Sequence, residues 1–448
     1  MKTKLALLTS LILSTPFSAF ANDFVSITDS RFGAVANDGR DDSQAIQNAI
    51  NYAIANKKSV YIPSGTFNVF QAVDVAKAYG PHNAKVKIYG EQKDISILET
   101  NSSNSILKVA HGIEVENLTF RQSSSSRQGK AIEIEFASYR SNFKKLDIIG
   151  FDKGIYGKWM IWDRFQDLFI YDVNVGIEFH SNGENPAYWN TEPNGWFNNV
   201  NVIDNVYVQN ADIGMKLAAM GTNIVNSTVQ GSNVGVEIFG PKSTDSTWNN
   251  SISNFYAEGV KTVFKVRNSR SLDINSVFVQ GGSSSNRNIA VIDAENAQMI
   301  KVSGMTGQDW WQNSVILKNS NVEGNIVAIG GQPSLDENST FQDTPSKLTA
   351  DVSLPANKSW VALPESFRIG SNSTYRLTVS GLRDGYEPVL SEFTIFNWTA
   401  APYQIIRKEN DASSRIAVKA EGGRLYLMLD FYGGNGLGGG KATLEKVH

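Results

Sequence analysis

Four short segments of this 448-residue chain repeat one pattern: glycine, an aliphatic residue, an outward-type residue and, in three of the four, a further apolar residue. They read Gly154-Ile155-Tyr156-Gly157, Gly176-Ile177-Glu178-Phe179, Gly214-Met215-Lys216-Leu217 and Gly235-Val236-Glu237-Ile238, at offsets of 22, 38 and 21 residues. The surrounding sequence is rich in β-formers and asparagine. A repeat of this length and composition predicts one coil of a parallel β-solenoid per copy. Stacked coils bring equivalent side chains to about 4.8 Å from one another, in columns that can be written down directly.

The N-terminus stands apart from that repeat. Lys2 and Lys4 precede an apolar run, Leu5 to Leu13, and Ala19-Phe20-Ala21 offers small residues at a cleavage site. These features predict an export signal over residues 1–21, with the mature chain starting near Asn22. No later segment is long and apolar enough to span a bilayer, so the expected location is outside the cytoplasm with no membrane partner. The chain has no cysteine, so a large apolar core rather than disulfides must hold it together. A formal net charge of −3 argues against a nucleic-acid partner. Several of the tryptophans (Trp189, Trp196, Trp248, Trp310, Trp311) fall in polar loops, a setting that suits stacking against sugar rings.

Ahead of the coils, Asp41-Asp42-Ser43 offers helix caps, and Ala45, Ile46, Ala49, Ile50, Ala53 and Ile54 form a helical stripe ending near Asn56-Lys57-Lys58. A strand, Val60-Tyr61-Ile62, and a turn, Pro63-Ser64-Gly65, follow. The segment from Phe32 to Ile46, with Val60-Tyr61-Ile62-Pro63-Ser64-Gly65-Thr66-Phe67, resembles the N-terminal signature of the pectate-lyase-like right-handed β-helix superfamily. Phage tailspike depolymerases, polygalacturonases and many polysaccharide lyases share that signature. The resemblance implies a right-handed parallel β-helix over residues 22–345 with an N-terminal capping helix. The layout of the whole chain is similar to that of biofilm-matrix lyases. By analogy with tailspikes, the resemblance also implies a homotrimer. Strand-like segments after residue 346 are irregularly spaced and predict a separate C-terminal antiparallel β-sandwich, residues 346–448.

Strand alternation assigns Ile155, Ile177, Met215 and Val236 to the core and Tyr156, Glu178, Lys216 and Glu237 to an outward column. Two positions further along lie Lys158 and His180. The long spacing between the second and third copies is an insertion of about 16 residues directly after His180. It carries Tyr188, Trp189, Glu192 and Trp196, and the preceding coil has Trp159, Trp162, Asp163 and Arg164 at the matching place. Loops of this kind on a rigid scaffold are expected to wall a groove. A second outward face, on the other strand of each coil, carries Tyr256 and Glu258.

These residues admit three chemistries. β-Elimination from a uronic acid needs a clamp for the carboxylate, a base for the C5 proton and an acid for the leaving oxygen. His180, Lys216, Arg164 and Tyr188 are the expected catalytic set. Tyr156, Lys158, Asp163, Glu178, Trp189, Glu192, Glu237, Tyr256 and Glu258 are expected to contact an extracellular acidic polysaccharide. Hydrolysis would instead use paired carboxylates: Glu178 and Glu237 are two coils, about 9.6 Å, apart, near the separation of an inverting pair. Lys216 between them also fits a plain salt-bridged solvent face. The third reading is a non-catalytic matrix or adhesion protein. No compact aspartate cluster of the calcium-binding type is present, so no metal or other cofactor is implied.

Overall fold

In the computed structural model, the described residues are 23–75, 86–109, 112–134, 138–180, 198–240, 247–281, 288–307, 311–327, 333–343, 348–354, 359–363, 373–383, 387–398, 401–410, 416–421, 424–429 and 437–446. The N-terminal segment read as an export signal lies outside them, as do Tyr188, Trp189 and Glu192. The chain divides into two compact units, Met1–Thr247 and Trp248–His448.

The first unit is a parallel β-helix. Its strands pair in register from coil to coil, so that Ile132, Ile155, Ile177, Met215 and Val236 form one continuous inward column. All five are at most 1% exposed. Leu118, Leu146, Leu168 and Val206 form another inward column on the strand opposite. Phe143 and Phe165 stack face to face with centroids 5.2 Å apart. The longest strands, Arg164–Phe179 and Val202–Leu217, each run through a corner without a break.

Left-handed residues at stacked positions make those corners. Gly150, Asp172, Asn210 and Gly231 occupy equivalent places and have φ of 87, 56, 56 and 61°. A second left-handed column reads Lys145, Asp167, Asn205 and Asn226. Asparagine and aspartate tolerate this region better than other side-chain-bearing residues. Their side chains also bond along the helix axis: Asn205 Nδ2 donates to Asp167 Oδ1 at 2.6 Å and Asn210 Nδ2 to Asp172 Oδ1 at 2.9 Å.

The repeated glycines have a different cause. A Cβ on Gly176 would lie 2.4 Å from the carbonyl oxygen of Gly214 and 2.9 Å from Val208 Cγ1. Gly154 and Gly214 meet the carbonyls of Gly176 and Gly235 at 2.5 and 2.6 Å in the same way. Each of these three glycines leaves room for the backbone of the next coil, while the coil before them carries Ala131 at the equivalent place.

Helix Ser43–Ala55 buries Ile46, Ala49, Ile50, Ala53 and Ile54. Of the expected caps, Asp41 Oδ1 accepts from the Ser43 amide at 3.1 Å. Asp42 makes no side-chain bond to the helix. Its carboxylate accepts instead from the Val35 and Asn68 amides at 2.9 and 3.2 Å, tying the helix start to the first coil.

The second unit contains parallel in-register strands from Asn250 to Asp343, for example Asn250–Glu258 on Leu272–Gln280 and the latter on Ile300–Gly307. It also contains antiparallel strands between Leu348 and Lys446 in a five-stranded and a three-stranded sheet. Leu354, Leu377, Phe393, Ile395, Leu425, Leu427 and Leu444 fill a core belonging to these antiparallel strands.

Candidate active site

Along the first unit, one outward column runs Asp74, Lys108, Glu133, Tyr156, Glu178, Lys216, Glu237, each in register with the next. The residues after each Gly-Ile pair therefore line up as the repeat spacing predicts. Their environment is not that of an idle solvent face. Glu133 is 7% exposed, Tyr156 8%, Glu178 3% and Glu237 8%. Buried carboxylates must be paired and hydrogen-bonded to stay charged.

Glu178 is the centre of that pairing. Lys153 Nζ lies 2.7 Å from its Oε2, Lys216 Nζ 3.9 Å from its Oε1, and His180 Nδ1 3.3 Å from Oε1. Burial works against ionisation of this carboxyl. The hydrogen bonds from His180 and Lys153 and the charges of Lys153 and Lys216 outweigh it, and the pKa falls to about 2. Glu133 is held down similarly: against burial stand its bonds to Lys130 and Ser105 and the charge of Lys108. Ser105 Oγ donates to Glu133 Oε2 at 2.5 Å.

Tyr156 sits between the two glutamates under a group of lysines. The Nζ atoms of Lys130 and Lys153 are each 4.6 Å from its ring centroid and that of Lys158 is 5.8 Å away. The ring of His180 lies 5.5 Å from it. Lys216 also covers Phe239 at 5.3 Å. Among the described residues here, lysines 108, 130, 153, 158 and 216 outnumber the carboxylates, so the site carries a positive field suited to an anionic ligand.

The peptide that bears His180 is anchored too. Asn198, fully buried, donates through Nδ2 to the carbonyls of His180 and Ala218 at 3.1 and 3.0 Å. The imidazole side chain remains 40% exposed.

Several expected site residues fall elsewhere. Asp163 is fully buried and cannot touch a substrate. Its Oδ1 accepts from the Ser141 amide at 2.7 Å, and its own amide donates to Asn201 Oδ1 at 2.9 Å. Burial pushes its pKa up to about 7 against the opposing bonds from Ser138 and Ser141. Arg164 is exposed but opens the strand Arg164–Phe179, whose other end carries Glu178. The structure does not bring it into the lysine cluster. Tyr256 and Glu258 belong to the second unit. There the Tyr256 hydroxyl lies 3.0 Å from Glu258 Oε2 and 2.7 Å from Gln280 Oε1, with its ring stacked on Phe278.

Lys130, Lys153 and Asn198 are functional candidates that sequence reasoning did not single out. Lys153 has the same parity as the core residue Ile155, so strict alternation points it inward. The close-packed Gly154 between them breaks the alternation and leaves Lys153 on the face of Tyr156 and Glu178.

A family model described as rhamnogalacturonase A/epimerase, pectate lyase-like, matches residues 24–261. Among solved structures, the chain is similar to the enzymatically active domain of tailspike protein 2 of bacteriophage CBA120, at 13% identity and a TM-score of 0.54 over 95% of this chain and 76% of that one. The Dettilon tailspike protein aligns over 95% of each chain at 11% identity, with a TM-score of 0.49. No curated protein matches. At these identities the structural likeness concerns fold alone.

Proposed function

Since the chain belongs to the rhamnogalacturonase A/epimerase family of pectate-lyase-like proteins, we propose that it is a polysaccharide-acting enzyme whose active site is the Tyr156–Glu178–Lys216 column with His180. The reaction we assign to it is β-elimination in a uronic-acid-containing exopolysaccharide, such as that of a biofilm matrix. The observation that carries this reading is the buried, ionised Glu178 beside His180 Nδ1, with lysines on either side.

In this mechanism Glu178 accepts from His180 Nδ1 and leaves Nε2 as the base that takes the C5 proton. Lys216 and Lys158 neutralise the substrate carboxylate, which acidifies that proton and stabilises the charge that develops as it leaves. The Tyr156 hydroxyl is the acid assigned to the departing glycosidic oxygen, its ring lying among the same lysines. The C5 electron pair forms the new double bond as the bond to that oxygen breaks.

Hydrolysis by Glu178 and Glu237 fits less well. A general acid must be protonated at working pH, and Glu178, with a pKa of about 2, cannot fill that role. Product mass spectrometry on acidic exopolysaccharides separates the two, because elimination products lack the water that hydrolysis adds. Hydrated products would refute the lyase assignment. The leader over residues 1–21 supports export of this enzyme, and N-terminal sequencing of secreted protein should then begin at Asn22. An uncleaved cell-associated chain would contradict that.

A further inference from the structure

The corners of the first unit differ in what fills them. Those at Asp172 and Asn205 are built mostly of asparagine, aspartate and glycine, the residues that a left-handed backbone favours. The corner after the short strands Ser138–Tyr139, Met160–Ile161 and Asn198–Asn199 is different. Its left-handed residues are Arg140, Trp162 and Val200, with φ of 60, 60 and 54°. The strand register puts the three at successive coil steps. A β-branched or bulky residue in this region is an outlier. Folding alone favours asparagine here, so these side chains need another reason. Strain of this kind gathers at functional sites.

The three side chains form an exposed ridge. Trp162 is 50% exposed and Val200 42%. The guanidinium of Arg140 lies over the Trp162 ring, 5.3 Å from its centroid. Arg164 is exposed two residues beyond Trp162. Among the described residues, neither Arg140 nor Arg164 forms an ion pair. The nearest acid in sequence, Asp163, turns its carboxyl inward to the Ser141 amide. The ridge therefore carries two uncompensated cations around one open indole.

Its backbone is held rigid. The amides of Arg140, Trp162 and Val200 donate to the carbonyls of Ile161, Asn199 and Met220 at 3.2, 3.1 and 2.9 Å. The amide of Arg164 donates to the Ser141 carbonyl at 2.9 Å. A surface fixed in this way loses little entropy when it binds.

The chemistry of the ridge selects its occupant. An indole takes the C–H face of a pyranose ring, and guanidinium pairs with a carboxylate through two parallel bonds. An uncharged sugar leaves both cations unused. A second copy of the chain needs far more apolar surface than one indole and one valine. Position agrees with an acidic saccharide. The chain turns twice, at Trp159 and Trp162, between Lys158 and Arg164, so the ridge lies around a corner from the lysine cluster. Four residues separate Lys158 from Trp162, a reach of no more than about 14 Å. A polymer leaving the cluster meets the ridge within a few sugar units.

Resting on the acidic-substrate reading above, we infer that Arg140, Trp162 and Arg164 form an accessory binding site for an acidic sugar unit. The site holds the polymer outside the catalytic groove and takes no part in the chemistry. Its gain is avidity: a long chain engages ridge and groove together.

The test is affinity electrophoresis of full-length protein through gels containing polygalacturonate, alginate or, as an uncharged control, dextran. All forms carry His180→Ala so that the polymer stays whole. Trp162→Asn and Arg140→Asn put at this corner the residue that other corners hold, so Tm should stay level or rise. Arg164→Gln, on an extended strand, is the third variant. At least one polyuronate should retard the protein more than dextran does, and each variant should weaken that retardation about tenfold. Retardation unchanged in all three variants, or no stronger in either polyuronate than in dextran, overturns the site. A change in sedimentation with unchanged retardation would assign the ridge to contact between copies and overturn it too. Absence of turnover by the unmodified protein would defeat the active-site reading instead and leave this comparison intact.

Discussion

His180 Nδ1 lies 3.3 Å from Glu178 Oε1, and the glutamate is almost completely buried while the imidazole is not. The pair thus has a fixed inner partner and an accessible outer one, the arrangement that orients an imidazole for proton transfer. Replacing His180 by alanine should lower kcat by about 100- to 10,000-fold with the fold retained. Glu178→Gln should lower kcat strongly as well, and Glu178→Asp, which keeps the charge, should recover part of it. Steady-state kinetics with circular dichroism as a fold control checks this. Equal activity of the Gln and Asp variants would show that the charge of Glu178 has no role.

Glu178 also predicts how the protein responds to acid. Its folded pKa, about 2, lies below the ordinary glutamate value of 4.5. The unfolded chain therefore binds a proton first as pH falls. The stabilisation is complete above about pH 4.5 and is lost as pH falls toward 2. Its size is on the order of 3 kcal/mol. Denaturant melts across that window should show a shallower acid decline in Glu178→Gln than in the parent, and parallel curves would contradict the assignment.

Asp163 predicts the opposite slope in a neighbouring window. Its folded pKa is raised to about 7 from an ordinary 3.8. The folded state holds a proton that the unfolded chain has released, so stability is full below about pH 4 and falls as pH rises to 7. The loss is on the order of 4 kcal/mol. Asp163→Asn keeps an acceptor for the Ser141 amide and removes the ionisation. The variant should gain stability relative to the parent as pH rises from 4 to 7, measured by the same melts. An unchanged difference across that range would show that Asp163 does not titrate there.

The glycine column predicts a steric cost. Gly176→Ala places a methyl group 2.4 Å from the Gly214 carbonyl. Relief requires separating two coils at a point two residues from Glu178. Stability should fall by about 1–3 kcal/mol, the usual range for overpacking, and activity should fall with it. A Tm within a degree or so of the parent would indicate that the coils give way freely.

The repeat makes the register of the first unit legible in the sequence. Gly154, Gly176 and Gly214 each meet the next coil's backbone, the last of them at Gly235, so their spacing is a direct record of the stacking. The outward column follows from it by counting. Burial does not follow from counting. Alternation alone could not show that Glu178 lies under Lys153 or that Tyr156 lies between lysines, because the glycine that sets the register also breaks the alternation before it. Asp163 is a related case. Its neighbours Trp162 and Arg164 are exposed, and only the fold shows that its own carboxylate turns inward to the Ser141 amide.

The central claim, elimination at the His180–Glu178–Lys216 site, is tested most directly by following acidic exopolysaccharide with two readouts at once: ultraviolet absorbance of unsaturated uronate and release of reducing ends. The account predicts that both appear together with the parent protein, in equal amounts, and that neither appears with His180→Ala. Reducing ends without the chromophore, or full-rate turnover by His180→Ala, would contradict it.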